Sequence, residues 1–240
     1  MQGKSTSSVN VISRRHFLLS SSIAAAAMGC ASPRNKGDLA GEDHSGNSAM
    51  GKLCLWYDRP AVAWMTEALP IGNGPLGAML FGGTGVERIQ FNEISLWSGD
   101  RMAVESLGDK QNIGAYQAFG DIFIHLGHDF SKVAGYRREL DIDSAVHRVT
   151  YDYNGVRYQQ MAFASHPAGV IVIHLTADKP AAYTGRVQLA DMHKALIAAD
   201  GNNLTSTGRI GNGFEYEALL NVQNQNGTIS VRNDDVCSAN

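Results

Sequence analysis

Much of the chain alternates apolar and polar residues, which is the pattern of β-strands that bury one face. Ile122, Ile124 and Leu126 occupy every second position of residues 121–126, and residues 145–153 show the same period of two. The side chains of a strand point alternately to its two faces, so this period gathers the apolar residues on one face. The pattern predicts a strand in each segment.

A tight turn is predicted where Asn154-Gly155 separates residues 145–153 from residues 156–165. Asn and Gly tolerate the positive φ angles that both central positions of a two-residue hairpin turn require. The sequence therefore predicts that the two flanking segments form an antiparallel hairpin.

The segment 169–177 contains the run Val170–Ile173, which is apolar at successive positions. Such a run is typical of a central strand covered on both faces. Gly- and Asn-rich stretches separate the remaining strand candidates, which are residues 184–189, 214–222 and 228–232.

Helical periodicity is scarce along the chain. Short helices are predicted within residues 103–119 and 192–199, with Asp191 as the N-cap of the second. Many short strands with regular turn signals favour a sandwich or a barrel. We therefore expect an all-β fold with few short helices.

The first thirty residues have the features of a targeting segment rather than of a folded domain. Arg14-Arg15, followed by Phe17 and Leu18, is typical of a twin-arginine export signal. The apolar run 17–28 is about twelve residues long, too short to span a bilayer as a helix. We expect the export machinery as a partner and a location in the periplasm or cell envelope.

Cys30 closes a segment that is similar to a lipobox, in which the cysteine is lipidated and anchors the protein to a membrane. The alternative is ordinary signal-peptide cleavage near Ala27 or Gly29. Residues 31–51, rich in Gly, Ser and Asn, are predicted to be a flexible linker, and residues 52–240 a folded domain. Cys54 and Cys237 can pair or remain separate thiols, and we favour separate thiols.

Composition excludes one class of partner. The chain has a formal net charge of −3, and no basic cluster interleaved with aromatic residues occurs in it. Nucleic-acid binding depends on neutralising phosphates with Lys and Arg. We therefore expect no nucleic-acid partner.

Two motifs suggest cofactor or metal chemistry but favour simpler interpretations. Residues 72–77 match Gly-x-Gly-x-x-Gly, yet Pro70 and Pro75 and the strand-like sequence that follows favour a turn over a dinucleotide site. His125 and His128 are three positions apart on a predicted strand and so face opposite ways, which favours a strand-end loop over a metal site. No Gly-x-Ser-x-Gly nucleophile motif occurs. We expect neither a cofactor nor a metal.

Several segments resemble the amino-terminal domain of glycoside hydrolase family 95, the α-L-fucosidase family. The matching segments are Trp56-Tyr57-Asp58, Glu67 to Gly74, Leu76 to Met79, Asn92-Glu93 and Leu96 to Gly99. The resemblance covers about residues 53–235 and implies a large two-sheet antiparallel β-sandwich. It also implies that the parent enzyme hydrolyses a terminal α-L-fucosyl bond of a fucosylated glycan, or has a related α-L-galactosidase activity, with inversion and without metal.

In that family the acid and the amide-assisted water activation lie in a later helical barrel, so no catalytic residue is carried over to this chain. Glycoside hydrolysis needs two opposed acidic groups, and nothing in the sequence pairs Glu67, Glu93, Asp100 or Asp121 across a pocket. Whether the chain is an enzyme stays open. We expect a truncated domain that is inactive alone; the alternatives are a free-standing carbohydrate-binding or structural surface module and a non-functional truncated product.

Asn92, Glu93 and Trp97 are the candidate substrate-binding residues. Amide and carboxylate groups bind sugar hydroxyls, and an indole face stacks on the apolar C–H patches of a pyranose. We expect the three residues at the seam that faces the barrel. In the alternative interpretation Trp97 packs that interface, while Asn92 and Glu93 satisfy backbone groups of their loop.

Overall fold

The structure is a computed structural model that describes residues 5–13, 53–99, 114–225, 227–232 and 235–239. The predicted signal residues Arg14, Arg15 and Cys30, the predicted linker 31–51 and Asp100 lie outside the described residues. No helix in these described ranges is long and apolar enough to cross a membrane.

Strands account for nearly all of the regular structure within the described ranges. They are β1 Ser5–Ser13, β2 Cys54–Tyr57, β3 Leu69–Gly72, β4 Leu76–Leu80, β5 Val86–Glu93, β6 Gly120–His125, β7 Ala134–Asp141, β8 Val146–Tyr153, β9 Val156–Ser165, β10 Val170–Ala177, β11 Thr184–Asp191, β12 Leu196–Asp200, β13 Asn203–Arg209, β14 Glu215–Gln225, β15 Thr228–Arg232 and β16 Asp235–Ala239. A single 3-10 turn, Phe130–Lys132, interrupts the strands of this described part.

The strands form two antiparallel sheets. The larger sheet has the order β12-β13-β14-β1-β10-β9-β8-β7-β2, and the smaller has the order β15-β16-β11-β6-β5-β4-β3. Both sheets contribute fully buried residues to one apolar core, among them Ile89 and Ile122 from the smaller sheet and Val149, Ile171 and Leu204 from the larger. The predicted all-β, two-sheet antiparallel sandwich is confirmed.

The predicted hairpin is present. Asn154 and Gly155 have φ angles of 50° and 71° and join β8 to β9, which pair from Tyr153↔Val156 to His147↔Ala162. Both turn residues adopt the left-handed backbone that this turn requires. The local dipeptide thus determines the register of two central strands.

The prediction that β10 is a central strand is confirmed, but the prediction that both of its faces are covered is wrong. β10 is central, between β1 and β9, but its residues alternate between buried and partly exposed. Ile171 and Ile173 are 0% and 2% exposed and face the core, whereas Val170 and Val172 are only partly buried. A two-sheet sandwich covers the inner face of each sheet, so apolar residues at successive positions do not require a second covering layer.

The predicted helix at 192–199 is wrong, because this segment forms a turn and then the edge strand β12. The Asp191 carboxylate accepts hydrogen bonds from the backbone N–H of His193 (2.6 Å) and of Ala195 (2.9 Å), as an N-cap would. Lys194, however, has φ 62°, which ends any helical path. Of the predicted helix at 103–119, residues 114–119 are described and are not helical.

Residues 5–13, which belong to the predicted targeting segment, form β1 in the middle of the larger sheet. β1 pairs with β10 along one edge and with β14 along the other. This placement differs from the expectation that the first thirty residues stay outside the folded domain. The assignment of residues 1–30 as an export signal stays a prediction.

Cys54, at the start of the edge strand β2, is a free thiol whose Sγ lies 3.8 Å from a carboxylate oxygen of Glu139. The favoured prediction of separate thiols therefore holds for Cys54.

Candidate functional site

The loop after β5 carries the predicted sugar-binding residues. Asn92 Oδ1 accepts a hydrogen bond from the backbone N–H of Glu93 (2.9 Å). Glu93 Oε2 accepts bonds from the Ser95 N–H (2.7 Å) and from the Ser95 hydroxyl. Both side chains are half-buried. In this chain they shape the loop through its own backbone, which is the contact pattern of the structural alternative.

Trp97 presents an accessible indole next to a second aromatic ring. Trp97 and Tyr116 are 49% and 47% exposed, and their ring centroids are 5.5 Å apart with a tilt of 45°. The indole N–H donates to the Ile94 carbonyl at 3.0 Å, which fixes the ring relative to its own loop. We call Trp97 and Tyr116 the aromatic pair. Two tilted rings with open faces suit an apolar ligand surface.

Glu93 also influences the aromatic pair electrostatically. Partial burial, and then the negative charge of Glu93, raise the pKa of the Tyr116 hydroxyl above its ordinary value. The hydroxyl therefore stays protonated at neutral pH and can donate a hydrogen bond to a ligand. Two of the three predicted residues thus act on Tyr116: Trp97 contacts its ring, and the charge of Glu93 raises the pKa of its hydroxyl.

Distant segments hold the aromatic pair in place. The Asn212 amide donates to the carbonyls of Trp97 (3.0 Å) and Gly99 (2.9 Å). Ser98 N–H donates to the Ala115 carbonyl at 2.9 Å, and the Gln117 amide donates to the Ser98 hydroxyl at 3.0 Å. Sequence reasoning missed Asn212, although its Gly211-Asn212-Gly213 setting marked a turn.

The acidic residues of the family-like segments lie apart and have structural partners. Glu67 accepts bonds from the backbone N–H groups of Val62 (2.6 Å) and Ala63 (3.1 Å), which lower the pKa of its carboxyl. Asp121 forms two bonds with the Arg88 guanidinium, at 2.9 and 3.0 Å. These two carboxylates stabilise local structure, and neither faces Glu93 across a described cleft.

The glycine-rich segment 72–77 is a turn between β3 and β4, as predicted. The buried Asn73 amide donates to the Ser165 carbonyl at 2.9 Å, and its oxygen accepts from the Leu76 N–H at 2.9 Å. The His166 ring lies 2.8 Å from the Asn73 carbonyl. Asn73 therefore joins this turn to the turn between β9 and β10, and no helix N-terminus for a phosphate follows it.

His125 and His128 belong to different environments. His125 Nε2 lies 3.3 Å from the Arg186 guanidinium at the partly exposed end of β6. His128 is buried; its Nδ1 lies 2.9 Å from the Tyr151 hydroxyl and its ring stacks on Tyr153. Within the described residues no group of three side chains is placed to hold a metal.

A cleft of about 430 Å³ opens where β3 approaches β7 and β8. Its lining is Pro70, Ile71, Gly72, Leu140, Ile142 and Ala145. Every one of these residues is apolar or small, so the cleft offers surface for packing rather than groups for acid–base chemistry.

Among the carboxyls of the described residues, that of Glu87 on β5 has the most strongly shifted pKa. Glu87 is 2% exposed, and its Oε1 accepts from the Phe81 N–H at 3.2 Å. Burial raises the pKa of Glu87 to about 8, against the opposing effects of nearby backbone N–H groups and of Arg138. A raised pKa is a property of general acids, but this carboxyl is enclosed and no substrate can reach it.

Arg138 is buried near Glu87, and its positive charge opposes the rise in the pKa of that carboxyl. The guanidinium is 0% exposed, donates to the Glu67 carbonyl at 2.8 Å and lies 4.4 Å from the Tyr57 ring centroid. Gly82 adopts φ 74°, and a Cβ atom there would lie 2.3 Å from Arg138 Cδ. The sequence carried a signal for Glu87, because the period of two places it on the same face as Ile89 and Phe91.

Comparisons with known proteins identify the family of the chain. The family described as "Glycosyl hydrolase family 65, N-terminal domain" matches residues 55–113 and 100–239. The chain is 32% identical to "Alpha-L-fucosidase 2" of Arabidopsis thaliana over 171 residues, which cover 59% of this chain and 20% of the relative. It is 26% identical to "Probable alpha-fucosidase A" of Aspergillus niger over 225 residues, which cover 77% of this chain and 28% of that relative.

The chain thus spans a fifth to somewhat over a quarter of the length of these curated relatives. The family match extends over well more than half of the chain and over both sheets of the sandwich. The resemblance to the amino-terminal domain of glycoside hydrolase family 95 is confirmed, and the chain belongs to the glycosyl hydrolase N-terminal domain family.

Proposed function

We propose that this chain is the amino-terminal domain of an exported α-L-fucosidase-like glycoside hydrolase, and that it does not turn over substrate alone. The names of the relatives and the family match support the glycosidase class. In the whole enzyme the sandwich would support the catalytic region, and its aromatic pair would contribute to the binding of a fucosylated glycan. Purified chain that released fucose from an aryl α-L-fucoside would contradict the proposed inactivity.

The aromatic pair is the observation that carries the binding role. Its two rings are about half exposed, although removing an aromatic ring from water is energetically favourable. Hydrogen bonds from Asn212 and to Ile94 fix the loop of Trp97, so a ligand would not have to order it. Rigid, exposed rings on the loop that carries the family resemblance suit the apolar face of a deoxy sugar.

Binding is expected to depend on Trp97 and not on exposed tryptophan in general. Trp97→Ala should weaken binding of a fucosyl oligosaccharide by at least about tenfold from a dissociation constant in the millimolar range. Trp64 is 46% exposed and lies on the loop before β3, so Trp64→Ala is a matched control that should bind as the unaltered chain does. Line broadening of the sugar resonances in NMR titrations measures both.

Two results would contradict the binding role. One is the absence of any titration with the unaltered chain at about 10 mM sugar, a concentration at which even a weak site fills. The other is equal loss in Trp97→Ala and Trp64→Ala. In either case the aromatic pair would be a packing surface for the rest of the enzyme.

We also propose export, which rests on the sequence of the first thirty residues. Arg14→Lys combined with Arg15→Lys should retain the chain in the cytoplasm, because the twin-arginine signal is read by a receptor. Cys30→Ser should leave export intact and abolish labelling with a radioactive fatty acid, if lipidation rather than simple cleavage follows. Cell fractionation and labelling measure the two steps, and unchanged export of the lysine variant would contradict the proposal.

A further inference from the structure

A row of polar side chains crosses the outer face of the larger sheet. Arg137, Thr150, Gln159 and Thr176 stand directly opposite one another on β7, β8, β9 and β10. In an antiparallel sheet, directly opposed residues share a face. All four residues are exposed or partly exposed, whereas the residue that follows each of them is buried. We call these four residues the polar row, and they lie on the side of the sheet away from the core.

An exposed tryptophan stands at one end of the polar row. Trp56, on the edge strand β2, is 58% exposed, and the Arg137 guanidinium lies 4.9 Å from the centroid of its ring. Glu139 is directly opposite Trp56 and accepts a hydrogen bond from Arg137 Nε at 2.8 Å. An indole face, the N–H donors of a guanidinium and a carboxylate acceptor are thus held side by side.

These groups have the chemistry of a sugar-binding surface. An indole packs against the C–H groups of a pyranose, and every sugar hydroxyl both donates and accepts hydrogen bonds. The side chains of Thr150, Gln159 and Thr176 can also do both. These three side chains make no hydrogen bond to another of the described residues, so their polar groups are available to a ligand.

The spacing of the polar row favours an extended chain over a single sugar. Neighbouring strands lie about 4.8 Å apart, so the row repeats at about this interval from β7 to β10. The interval is close to the length of one pyranose unit in an extended, equatorially linked glycan. A chain that lies across the strands would therefore meet a polar side chain at each of several successive sugars.

The charges on this face favour a neutral chain. Arg137 is paired with Glu139 at 2.8 Å, and Arg157 is paired with Asp152 at 3.4 Å. An acidic glycan would meet a carboxylate beside each of these two guanidinium groups. A neutral glycan would meet no such repulsion and could use the donors and the acceptors of both pairs.

We propose that Trp56, Glu139 and the polar row form a binding site for a neutral, extended hexopyranose chain of the cello-oligosaccharide type. The chain lies across β7 to β10, and Trp56 packs against the sugar at one end. The site belongs to the larger sheet, whereas the aromatic pair lies beyond β5 of the smaller sheet. It is a second site, which does not depend on the binding of a fucosylated glycan.

Titration of the full chain with cellohexaose tests the site. Amide chemical shifts of the isotopically labelled chain measure the affinity and locate the ligand. We expect a dissociation constant in the millimolar range, with shifts within residues 148–152 and 157–161. Cellobiose should bind at least about tenfold more weakly, because it reaches fewer of the polar side chains.

Two substitutions remove parts of the site. Trp56→Ala should weaken cellohexaose binding at least about fivefold, because the indole platform is lost. Thr150→Val keeps the shape of the side chain and removes one hydroxyl, so it should weaken binding about threefold. Trp97→Ala and Trp64→Ala are the matched controls and should bind cellohexaose as the unaltered chain does.

Four results would overturn the proposal: no shifts at about 5 mM cellohexaose, equal loss in Trp56→Ala and Trp97→Ala, unchanged binding in Thr150→Val, or tighter binding of the acidic chain hexagalacturonate. Circular dichroism checks that each variant folds, and Thr150→Val decides alone if Trp56→Ala does not fold. The titrations with a fucosyl oligosaccharide keep their own outcome in every case. Failure of this site is therefore distinguishable from failure of the proposed function.

Discussion

Replacement of Arg138 by alanine should lower the free energy of unfolding by roughly 3 kcal/mol, because hydrogen bonds from a charged group contribute about 1.5–3 kcal/mol each and Arg138 makes two of them. Arg138 is fully buried, and its guanidinium donates to the carbonyls of Glu67 (2.8 Å) and Arg59 (3.4 Å). Both carbonyls would lose a charged donor. The Tyr57 ring would lose the cation that lies 4.4 Å from its centroid.

Arg137, the preceding residue on β7, is the matched control. Its side chain is 46% exposed, pairs with Glu139 at 2.8 Å and lies 4.9 Å from the Trp56 ring centroid. Exposed pairs of this kind contribute about 1 kcal/mol or less. Urea denaturation followed by circular dichroism compares the two alanine variants, and a difference below about 1 kcal/mol between them would refute the role assigned to Arg138.

The second large effect concerns pH. The chain should lose about 2 kcal/mol of unfolding free energy between pH 6.5 and 8, and Glu87→Gln should abolish this loss. The pKa of Glu87 is raised from 4.5 to about 8 in the folded state. The folded chain therefore holds a proton that the unfolded chain has released, so stability is full below pH 4.5 and declines as the pH rises through 8.

His147 explains why the decline becomes visible only above pH 6.5. Burial lowers the pKa of His147 to about 3, so the unfolded chain takes up a proton below pH 6.5 that the folded chain does not. Stability from this group is present above pH 6.5 and is lost as the pH falls towards 3. Between pH 4.5 and 6.5 the two contributions have opposite signs and cancel, and above 6.5 only that of Glu87 remains.

Denaturant midpoints at several pH values measure this effect. Glu215 is exposed and paired with Arg209, so Glu215→Gln should keep the decline of the unaltered chain. For Glu87→Gln, the free energy of unfolding should instead stay constant to within about 0.5 kcal/mol between pH 6.5 and 8. A decline of equal size in both variants would show that another group binds the proton.

Local sequence was sufficient wherever a strand or a turn depends on adjacent residues. The Asn154-Gly155 dipeptide predicted the β8–β9 hairpin because positive φ at both positions is a property of those two residues. The segment 196–200 was misassigned because its apolar residues suit a helix or a strand equally. Pairing with β13 decides in favour of a strand, and that contact depends on tertiary structure.

The candidate site was predictable only in part, for the same reason. The indole of Trp97 was singled out from its own loop, but its neighbours come from elsewhere. Tyr116 forms the second ring of the pair, and Asn212 holds the loop by hydrogen bonds from a distant turn. No period or spacing in the sequence relates the segments of Trp97, Tyr116 and Asn212. Their contacts depend on which strands of the two sheets lie next to each other.

The position of β1 sets an order of events during synthesis. Ser5–Ser13 is translated long before its two neighbours in the sheet, Val170–Ala177 and Glu215–Gln225. At about 5–20 residues per second, this strand waits on the order of ten seconds or more before both neighbours exist. Arg14 and Arg15 follow directly on this strand. Closure of the sheet around β1 is thus a late step, because it requires strands that are translated much later.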